Sequence, residues 1–201
     1  MLKKLALLSI TAVSALAMHT VELNVNEKDV EGRLRLDMGQ FNDSVMTDTV
    51  FLGMALLHGS EDNSDANPKT LVEINFLMQR SISATDDALT LGMGVKLDYT
   101  QLKFSLSPQQ DYFALPIGIE ANYRFPFDIA VPLHVGGSFY YAPEVLSFED
   151  AKNYLEYRAY FDVEIIEGGK IRLGYRSIDT DTKKHNINYN HSAYLGFKMA
   201  F

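Results

Sequence analysis

The chain ends with the stretch His191–Phe201, whose sequence is HSAYLGFKMAF. Every second residue of this stretch is apolar: Ala193, Leu195, Phe197, Met199 and Phe201. The residues between them are small or polar, and one of them, Lys198, carries a charge. Successive side chains of a β-strand point to opposite faces. The alternation therefore predicts a strand with one apolar face and one polar face.

The last residue, Phe201, completes the apolar face of this strand. An apolar strand that ends on phenylalanine resembles the terminal strand of Gram-negative outer-membrane β-barrels. The resemblance implies that Phe201 is part of the signal read by the barrel-assembly machinery. It also implies that the rest of the chain consists of similar strands, which can be tested segment by segment.

Nine further segments show the same alternation. They lie at residues 21–25, 33–38, 50–57, 72–79, 89–99, 113–124, 131–141, 155–165 and 170–176. Most are about ten residues long, which is the length of a tilted strand that crosses the apolar core of a bilayer. Together with the final strand they predict an all-β fold, an antiparallel up-and-down transmembrane β-barrel of ten strands. A barrel of eight strands with an N-terminal extension is the alternative.

The lengths of the connections favour a barrel independently. Counted back from Phe201, the connections alternate between two rims. Those at the far rim are residues 179–190, 142–150, 100–111, 58–69 and 26–30, and all but the last are long. Those at the Phe201 rim are residues 167–169, 126–130, 81–87 and 40–47. Bacterial barrels have short periplasmic turns and longer extracellular loops, so we expect Phe201 at the periplasmic rim.

The charged side chains fall on one face of the predicted strands. Facing lipid, a basic residue near the bilayer centre would cost roughly 2–4 kcal/mol, whereas facing the barrel interior it could pair with a carboxylate. The predicted charge network of the lumen is Glu22, Arg33, Arg35, Glu73, Lys96, Glu120, Arg124, Glu156, Arg158, Asp162, Glu164, Arg172, Arg176 and Lys198. The opposite faces form an apolar belt that would aggregate in water but suits lipid.

The N-terminus has the pattern of an export signal. Residues 1–17 begin with Met-Leu-Lys-Lys, continue with an apolar run from Leu5 to Val13 and end with Ala15-Leu16-Ala17. The run falls short of the roughly 20 residues that a membrane-spanning helix needs. We predict a signal peptide at residues 1–17, cleaved after Ala17, followed by one barrel domain at residues 18–201.

Composition excludes several classes of protein. The 201 residues include no cysteine, so an exported chain of this kind does not rely on disulfides. The formal net charge of −8 argues against a nucleic-acid partner, which needs a basic surface. No run of 18 apolar residues follows the signal segment, which excludes a helical membrane protein but not a membrane barrel.

The region between Val131 and Arg176 carries a more specific resemblance. Tyr140-Tyr141-Ala142-Pro143, Ser147-Phe148, Tyr154-Leu155-Glu156-Tyr157 and Gly174-Tyr175-Arg176 are similar to the YfaZ family of predicted outer-membrane barrels. Gly53-Met54-Ala55-Leu56-Leu57-His58 and the terminal Leu195-Gly196-Phe197 fit the same pattern. The resemblance covers most of the chain after the signal segment. It implies an outer-membrane barrel, but it does not identify any catalytic residue.

Polar groups near the long loops suggest two candidate sites, one catalytic and one for calcium, and the sequence argues against both. His185, His191 and Ser192 lie close in sequence to Asp179 and Asp181, but adjacent strand residues point to opposite faces, so His191 and Ser192 cannot form a catalytic pair. The acidic stretch from Glu61 to Asn67 is rich in oxygen ligands but lacks the glycine and distal glutamate of an EF-hand loop. A solvated loop explains it better.

The connection after Pro143 is unusually apolar for an exposed loop. Proline cannot donate to a β-ladder and ends the preceding strand. Pro143, Val145, Leu146 and Phe148 are the predicted extracellular lid, folded over the mouth of the barrel. A contact point for lipid or a partner is the alternative reading.

These observations predict a small barrel in the cell outer membrane of a Gram-negative bacterium, with a lumen largely filled by charged side chains and a structural or interaction role. A narrow pore for small solutes is the alternative, and a lipid-modifying enzyme is a third reading. We predict no enzymatic activity, no cofactor and no metal. The expected partners are outer-membrane lipid and, during biogenesis, the barrel-assembly machinery, and the chain is expected to be monomeric.

Overall fold

The computed structural model describes residues 19–59, 66–68, 70–82, 88–104, 110–127, 131–183, 186 and 188–201. These residues form β-strands almost throughout. The strands are β1 (Thr20–Val25), β2 (Val30–Asp37), β3 (Val50–His58), β4 (Ala66–Pro68), β5 (Thr70–Ser81), β6 (Leu89–Phe104), β7 (Gln110–Ala114), β8 (Ile117–Arg124), β9 (Leu133–Ala142), β10 (Ser147–Glu149), β11 (Ala151–Ile166), β12 (Gly169–Thr182) and β13 (Asn188–Ala200). Among the described residues, no helix is long and apolar enough to cross a membrane.

Ten of the strands close into a ring in which every neighbour is antiparallel. The order around the ring is β1, β2, β3, β5, β6, β8, β9, β11, β12 and β13, and β13 pairs again with β1. The predicted ten-stranded barrel is therefore confirmed. The eight-stranded alternative is wrong, because the short first hairpin, β1 and β2, supplies two strands of the ring.

The register gives each strand one buried and one exposed face. Along β3, for example, Phe51, Ala55 and Leu57 are buried inside, whereas Leu52 and Met54 are exposed outside. The exposed residues of all ten strands are predominantly Leu, Ile, Val, Met and Phe. A closed ring leaves no strand edge without a partner, so its wall can face lipid without exposing backbone polar groups.

Three short strands extend the wall at the rim that holds the longer connections, which we call the long-loop rim. β4 and β7 pair with the outer end of β6, and β10 pairs with β7. The segment at residues 113–124, predicted as one strand, is interrupted at Leu115 and Pro116 because proline has no N–H to donate. β7 and β8 nevertheless keep one register opposite β6, and Lys96 N–H donates to the Pro116 carbonyl across the break at 2.8 Å.

We call the opposite rim the C-terminal rim. Here the start of β1 and the end of β13 are joined by backbone hydrogen bonds. The His19 N–H donates to the Phe201 carbonyl at 2.7 Å, and the Phe201 N–H donates to the His19 carbonyl at 2.9 Å. Asp37 fixes the adjoining loop by accepting the N–H groups of Gly39 and Asp48. Partial burial and the nearby Asp37 carboxylate raise the pKa of Asp48.

Inward glycines make room for tyrosine rings inside the barrel. A β-carbon on Gly118 would lie 2.1 Å from the Phe139 carbonyl oxygen and 2.5 Å from the Tyr140 ring. A β-carbon on Gly174 would lie 2.3 Å from the Tyr194 ring. Tyrosine rings and glycines therefore interlock across neighbouring strands.

We expect Gly118→Ala to destabilise the barrel by roughly 1–3 kcal/mol, because the new methyl group meets a backbone carbonyl that cannot move aside. Gly32→Ala is the matched control, since nothing lies within 4 Å of a β-carbon at that position. Urea-induced unfolding of both variants in lipid vesicles measures the difference. Equal midpoints for the two variants would contradict this packing.

Candidate functional site

Six charged side chains form a closed ring across the lumen, which we call the charge ring. Its members alternate in sign in the order Glu31, Arg158, Glu156, Lys96, Glu73 and Arg33. They project from β2, β5, β6 and β11, so the ring spans the interior rather than following one wall. All six are buried.

The contacts within the charge ring are short. Arg158 Nη2 lies 2.8 Å from Glu31 Oε1, and Arg158 also donates to Glu156. Lys96 Nζ lies 2.8 Å from Glu156 Oε2 and 3.0 Å from Glu73 Oε2. Arg33 Nη2 lies 2.7 Å from Glu73 Oε1 and its Nη1 lies 3.7 Å from Glu31 Oε1. Each carboxylate therefore sits between two cations, which compensates for its removal from water.

Two further arginines extend the charge ring toward the rims. Arg176 donates to Glu31 and to Asp29, both at 2.6 Å. Arg172 holds Asp162 with two hydrogen bonds, of 2.7 and 2.8 Å, and reaches Glu22 at 2.9 Å. Asn24 joins the two groups, because its amide donates to Glu22 at 2.7 Å and to Glu31 at 2.9 Å. The result is one continuous hydrogen-bonded network.

Tyrosine rings lie over three of the cations of this network. Lys96 Nζ lies 4.1 Å from the centroid of the Tyr140 ring. Arg172 Cζ lies 3.7 Å from the Tyr160 centroid, and Arg176 Cζ lies 5.4 Å from the Tyr194 centroid. These distances allow cation–π attraction in a desolvated site. The rings fill the space between charged side chains.

Toward the long-loop rim, the lumen becomes apolar. We call this region the outer cap, and it consists of Leu57, Leu71, Leu102, Tyr112, Ala114, Ala142, Ala151, Tyr154, Ile178 and Tyr189, all buried and in contact as one cluster. The Tyr112 hydroxyl donates to the Asn153 carbonyl and ties β7 to β11 across the cap. The described side chains of the lumen therefore form two closures in series, one charged and one apolar.

The structure brings most of the predicted lumen residues together. Arg35 and Glu120 form a separate pair with hydrogen bonds of 2.9 and 2.8 Å. Glu164 lies at the C-terminal rim, where it contacts His134 at 3.2 Å and Lys170 at 3.4 Å. Lys198 is half-buried and stands opposite Glu22 in the register of β1 and β13.

Arg124 differs from the other predicted members, because its side chain is exposed. It is the last residue of β8, at the C-terminal rim, so its side chain reaches water beyond the wall. The alternation of β8 continues to its last residue, but alternation alone does not tell where the interior stops.

The predicted lid is mostly part of the wall. Pro143 precedes a short 3-10 turn, Glu144–Leu146, and Phe148 lies in β10, which is hydrogen bonded to β7. Val145 is 79% exposed and Phe148 is also exposed, whereas Leu146 packs against the outer cap. Only Leu146 therefore contributes to closing the mouth, and the residues that close it most come from the strands.

Several network members were not predicted. Glu31 shares a face with Arg33 and Arg35, so the alternation of β2 contained the signal. Asp29 lies in the turn between β1 and β2, and no periodic pattern could assign it to the lumen. Asp98 is a further buried carboxylate of the lumen that makes none of the ion pairs described above; it follows Lys96 at the next inward position of β6, and the same alternation could have included it.

His191 and Ser192 point to opposite faces of β13, as expected. Ser192 Oγ donates to Asn190 Oδ1 at 2.8 Å inside the barrel. His191 instead lies 3.2 Å from the hydroxyl of Ser177 and 3.4 Å from Asp179 on the outside. The Ser177 side chain is completely buried beneath its neighbours, so this contact anchors His191 and offers no exposed nucleophile.

Some predicted features lie outside the described residues. They are the signal segment at residues 1–17, His185 and the acidic loop from Glu61 to Asp65. Within the described part of the chain, no group of three or more His, Cys, Asp or Glu side chains is placed to hold a metal ion.

Replacing Arg158 with Met leaves Glu31 and Glu156 each short of a cation in a buried site, so we expect a loss of about 3–5 kcal/mol in unfolding free energy. Arg124→Met is the matched control, because this exposed arginine should tolerate the same substitution within about 0.5 kcal/mol. Both values come from denaturant unfolding of the refolded proteins. Equal stability of the two variants would contradict a structural role for the charge ring.

Comparison with known proteins identifies the family of this chain. No curated protein matches the sequence. A solved structure described as a KdgM porin has a similar shape, with a TM-score of 0.42 and 6% identity over 91% of this chain and 98% of that one. A family model described as "YfaZ precursor" matches residues 2–201. The match covers nearly the whole sequence, and the chain therefore belongs to the YfaZ family.

Proposed function

We propose that this chain is a small barrel of the Gram-negative outer membrane whose interior is closed by its own side chains, and that it has a structural or interaction role. The observation that carries this proposal is the closed charge ring, which links four strands across the lumen. A solute on this path would have to separate buried ion pairs. Separating such pairs leaves charges in a poorly hydrated site, which is costly.

The outer cap supports the same conclusion from a different kind of contact. Its tyrosine and aliphatic side chains are buried against each other above the charge ring. An ion that reached the cap would lose the polar groups that replace its water shell. Two closures of opposite chemistry in series are a better barrier than either alone, and they favour a plugged barrel over a narrow pore.

The outer surface supports the proposed location. The exposed face of the wall is a belt of aliphatic residues, and aromatic pairs such as Tyr157 with Tyr175 and Phe125 with Phe127 lie toward its two edges. Such a surface suits lipid bounded by aromatic girdles. We propose that residues 1–17 are the cleaved export signal and that Phe201 is read during assembly, with lipid as the resident partner.

Reconstitution into a planar bilayer tests the closed interior. We expect no steady single-channel steps from the wild type, because both closures would have to open together. The triple variant Glu31→Ala, Glu73→Ala, Glu156→Ala tests whether the charge ring is needed. It should increase the frequency of brief openings, because Arg158 and Lys96 lose the carboxylates that hold them across the lumen. The matched control is Asp43→Ala in an exposed connection. Steady conductance of the wild type would establish the narrow pore in place of this proposal.

The lipid-modifying alternative has its own test. The cluster of His191, Ser177 and Asp179 is the described group that comes nearest to hydrolase chemistry. Because Ser177 is buried, we expect the mass spectrum of lipid A to be the same in wild-type cells, in a deletion strain and in cells that carry Ser177→Ala. A lipid A species that disappears in the deletion strain and in the Ser177 variant would overturn the non-enzymatic assignment.

A further inference from the structure

A cleft lies on the outer surface of the wall, beside the long-loop rim. Its volume is about 440 Å³, within the range of roughly 300–1,000 Å³ that small-molecule sites occupy. It belongs to neither closure of the lumen, because its strand residues alternate with the buried residues of the same strands. Its lining includes residues of β9, β11, β12 and β13: Tyr141, Asn153, Leu155, Asp179, Asp181 and Asn188.

The strand register joins these residues independently of the cleft. Leu155 stands opposite Tyr141 on one side and opposite Asp179 on the other, and Asp179 stands opposite Asn188. These four residues form one row across four neighbouring strands, and side chains directly opposite each other in an antiparallel ladder are in contact range. The next row toward the rim is the pair Asn153 and Asp181.

Along the same four strands, the outer surface changes from apolar to polar toward the cleft. Farther from the rim, one row consists of exposed apolar side chains: Val135, Phe161, Leu173 and Leu195. Tyr157 and Tyr175 lie between this row and the cleft, with their ring centroids 6.2 Å apart. Tyrosine rings favour the boundary between acyl chains and headgroups. In the proposed membrane location, the cleft therefore lies at the level of the lipid headgroups.

The lining is suited to a sugar ring. The amides of Asn153 and Asn188 can both donate and accept hydrogen bonds, and the carboxylates of Asp179 and Asp181 accept them. The exposed side chain of Tyr141 adds an aromatic face. A sugar presents hydroxyl groups along its edge and C–H groups on its faces, so it can use both kinds of lining.

The charge of the cleft restricts the kind of sugar. Among the described side chains that line it, Asp179 and Asp181 carry the charges, and both are negative. His191 lies 3.4 Å from Asp179 and offsets its charge only when protonated. A phosphorylated or acidic sugar would therefore be repelled, whereas a neutral or amine-bearing sugar would not.

We propose that this cleft binds the headgroup of an outer-leaflet glycolipid, a neutral or amine-bearing sugar whose acyl chains lie on the apolar belt. Tyr141 packs on the face of the sugar, and the amide and carboxylate groups of the lining bind its hydroxyl groups. This assignment rests on the proposed outer-membrane location, and it names the class of lipid that the outer surface binds.

Native mass spectrometry of the refolded full barrel tests the site. The barrel is held in micelles of lauryldimethylamine oxide, a detergent without a sugar. The micelles contain glucosyl diacylglycerol, a neutral glycolipid, and an equal amount of phosphatidylglycerol with the same acyl chains. We expect the glycolipid to be retained about fivefold more often than phosphatidylglycerol, because the cleft accepts the sugar and repels the phosphate. Equal retention of the two lipids overturns the site.

Substitutions locate the binding on the outer surface. Tyr141→Leu and Asn153→Leu should each reduce retention of the glycolipid by at least about half, because each removes a contact with the sugar. Tyr99→Leu is the matched control, since Tyr99 is an exposed tyrosine of β6 outside the cleft, and it should keep the full retention. Retention that both cleft variants preserve contradicts binding in the cleft.

Methyl glucoside, a sugar without acyl chains, distinguishes a lipid headgroup from a free sugar. At the concentration of the glycolipid it should leave the retained lipid in place, because it makes no contact with the belt. Displacement of the lipid would overturn the lipid assignment. Fractionation of cells tests the membrane location separately. A barrel that is found in outer membranes but shows no lipid preference removes this site alone, whereas a barrel found outside them removes the proposed function.

Discussion

Closure of the backbone ladder between β1 and β13 is the constraint on which this structure depends. Six residue pairs between these strands, together with the hydrogen bonds between His19 and Phe201, close a long antiparallel sheet into a barrel. A strand in lipid cannot leave its N–H and C=O groups without partners, so an open sheet of this kind would not be stable there. Once the ring closes, its strand number fixes the width of the lumen.

The fixed width explains the composition of the interior. Ten strands enclose more space than aliphatic side chains from the wall alone would fill, and long arginine, lysine and glutamate side chains reach across it. Because these groups are charged, they have to be paired, and the charge ring is one arrangement that gives each carboxylate two cations. Glycine positions such as Gly118 and Gly174 then admit the tyrosine rings that complete the packing.

The fold could be predicted from the sequence because its main signal is local. A period of two, read in β3, β5 or β13, tells which side chains point inward whatever their partners are. The charged lumen followed from the same pattern. The partners within the lumen could not be predicted, since Glu31 meets Arg158 only through the position of their strands around the ring. For the same reason, the position of Arg124 beyond the interior and the wall-like course of residues 143–148 required the structure.

The sequence distances within the charge ring have a consequence for how the barrel matures. Glu31 and Arg158 are 127 positions apart and stand on strands that are not neighbours in the ring. Hairpins can form and pair one after another without bringing these two side chains together. Their contact therefore reports completion of the cylinder rather than growth of the sheet. Until that moment the interior charges have no partners across the lumen and need water, so the barrel closes around a hydrated core.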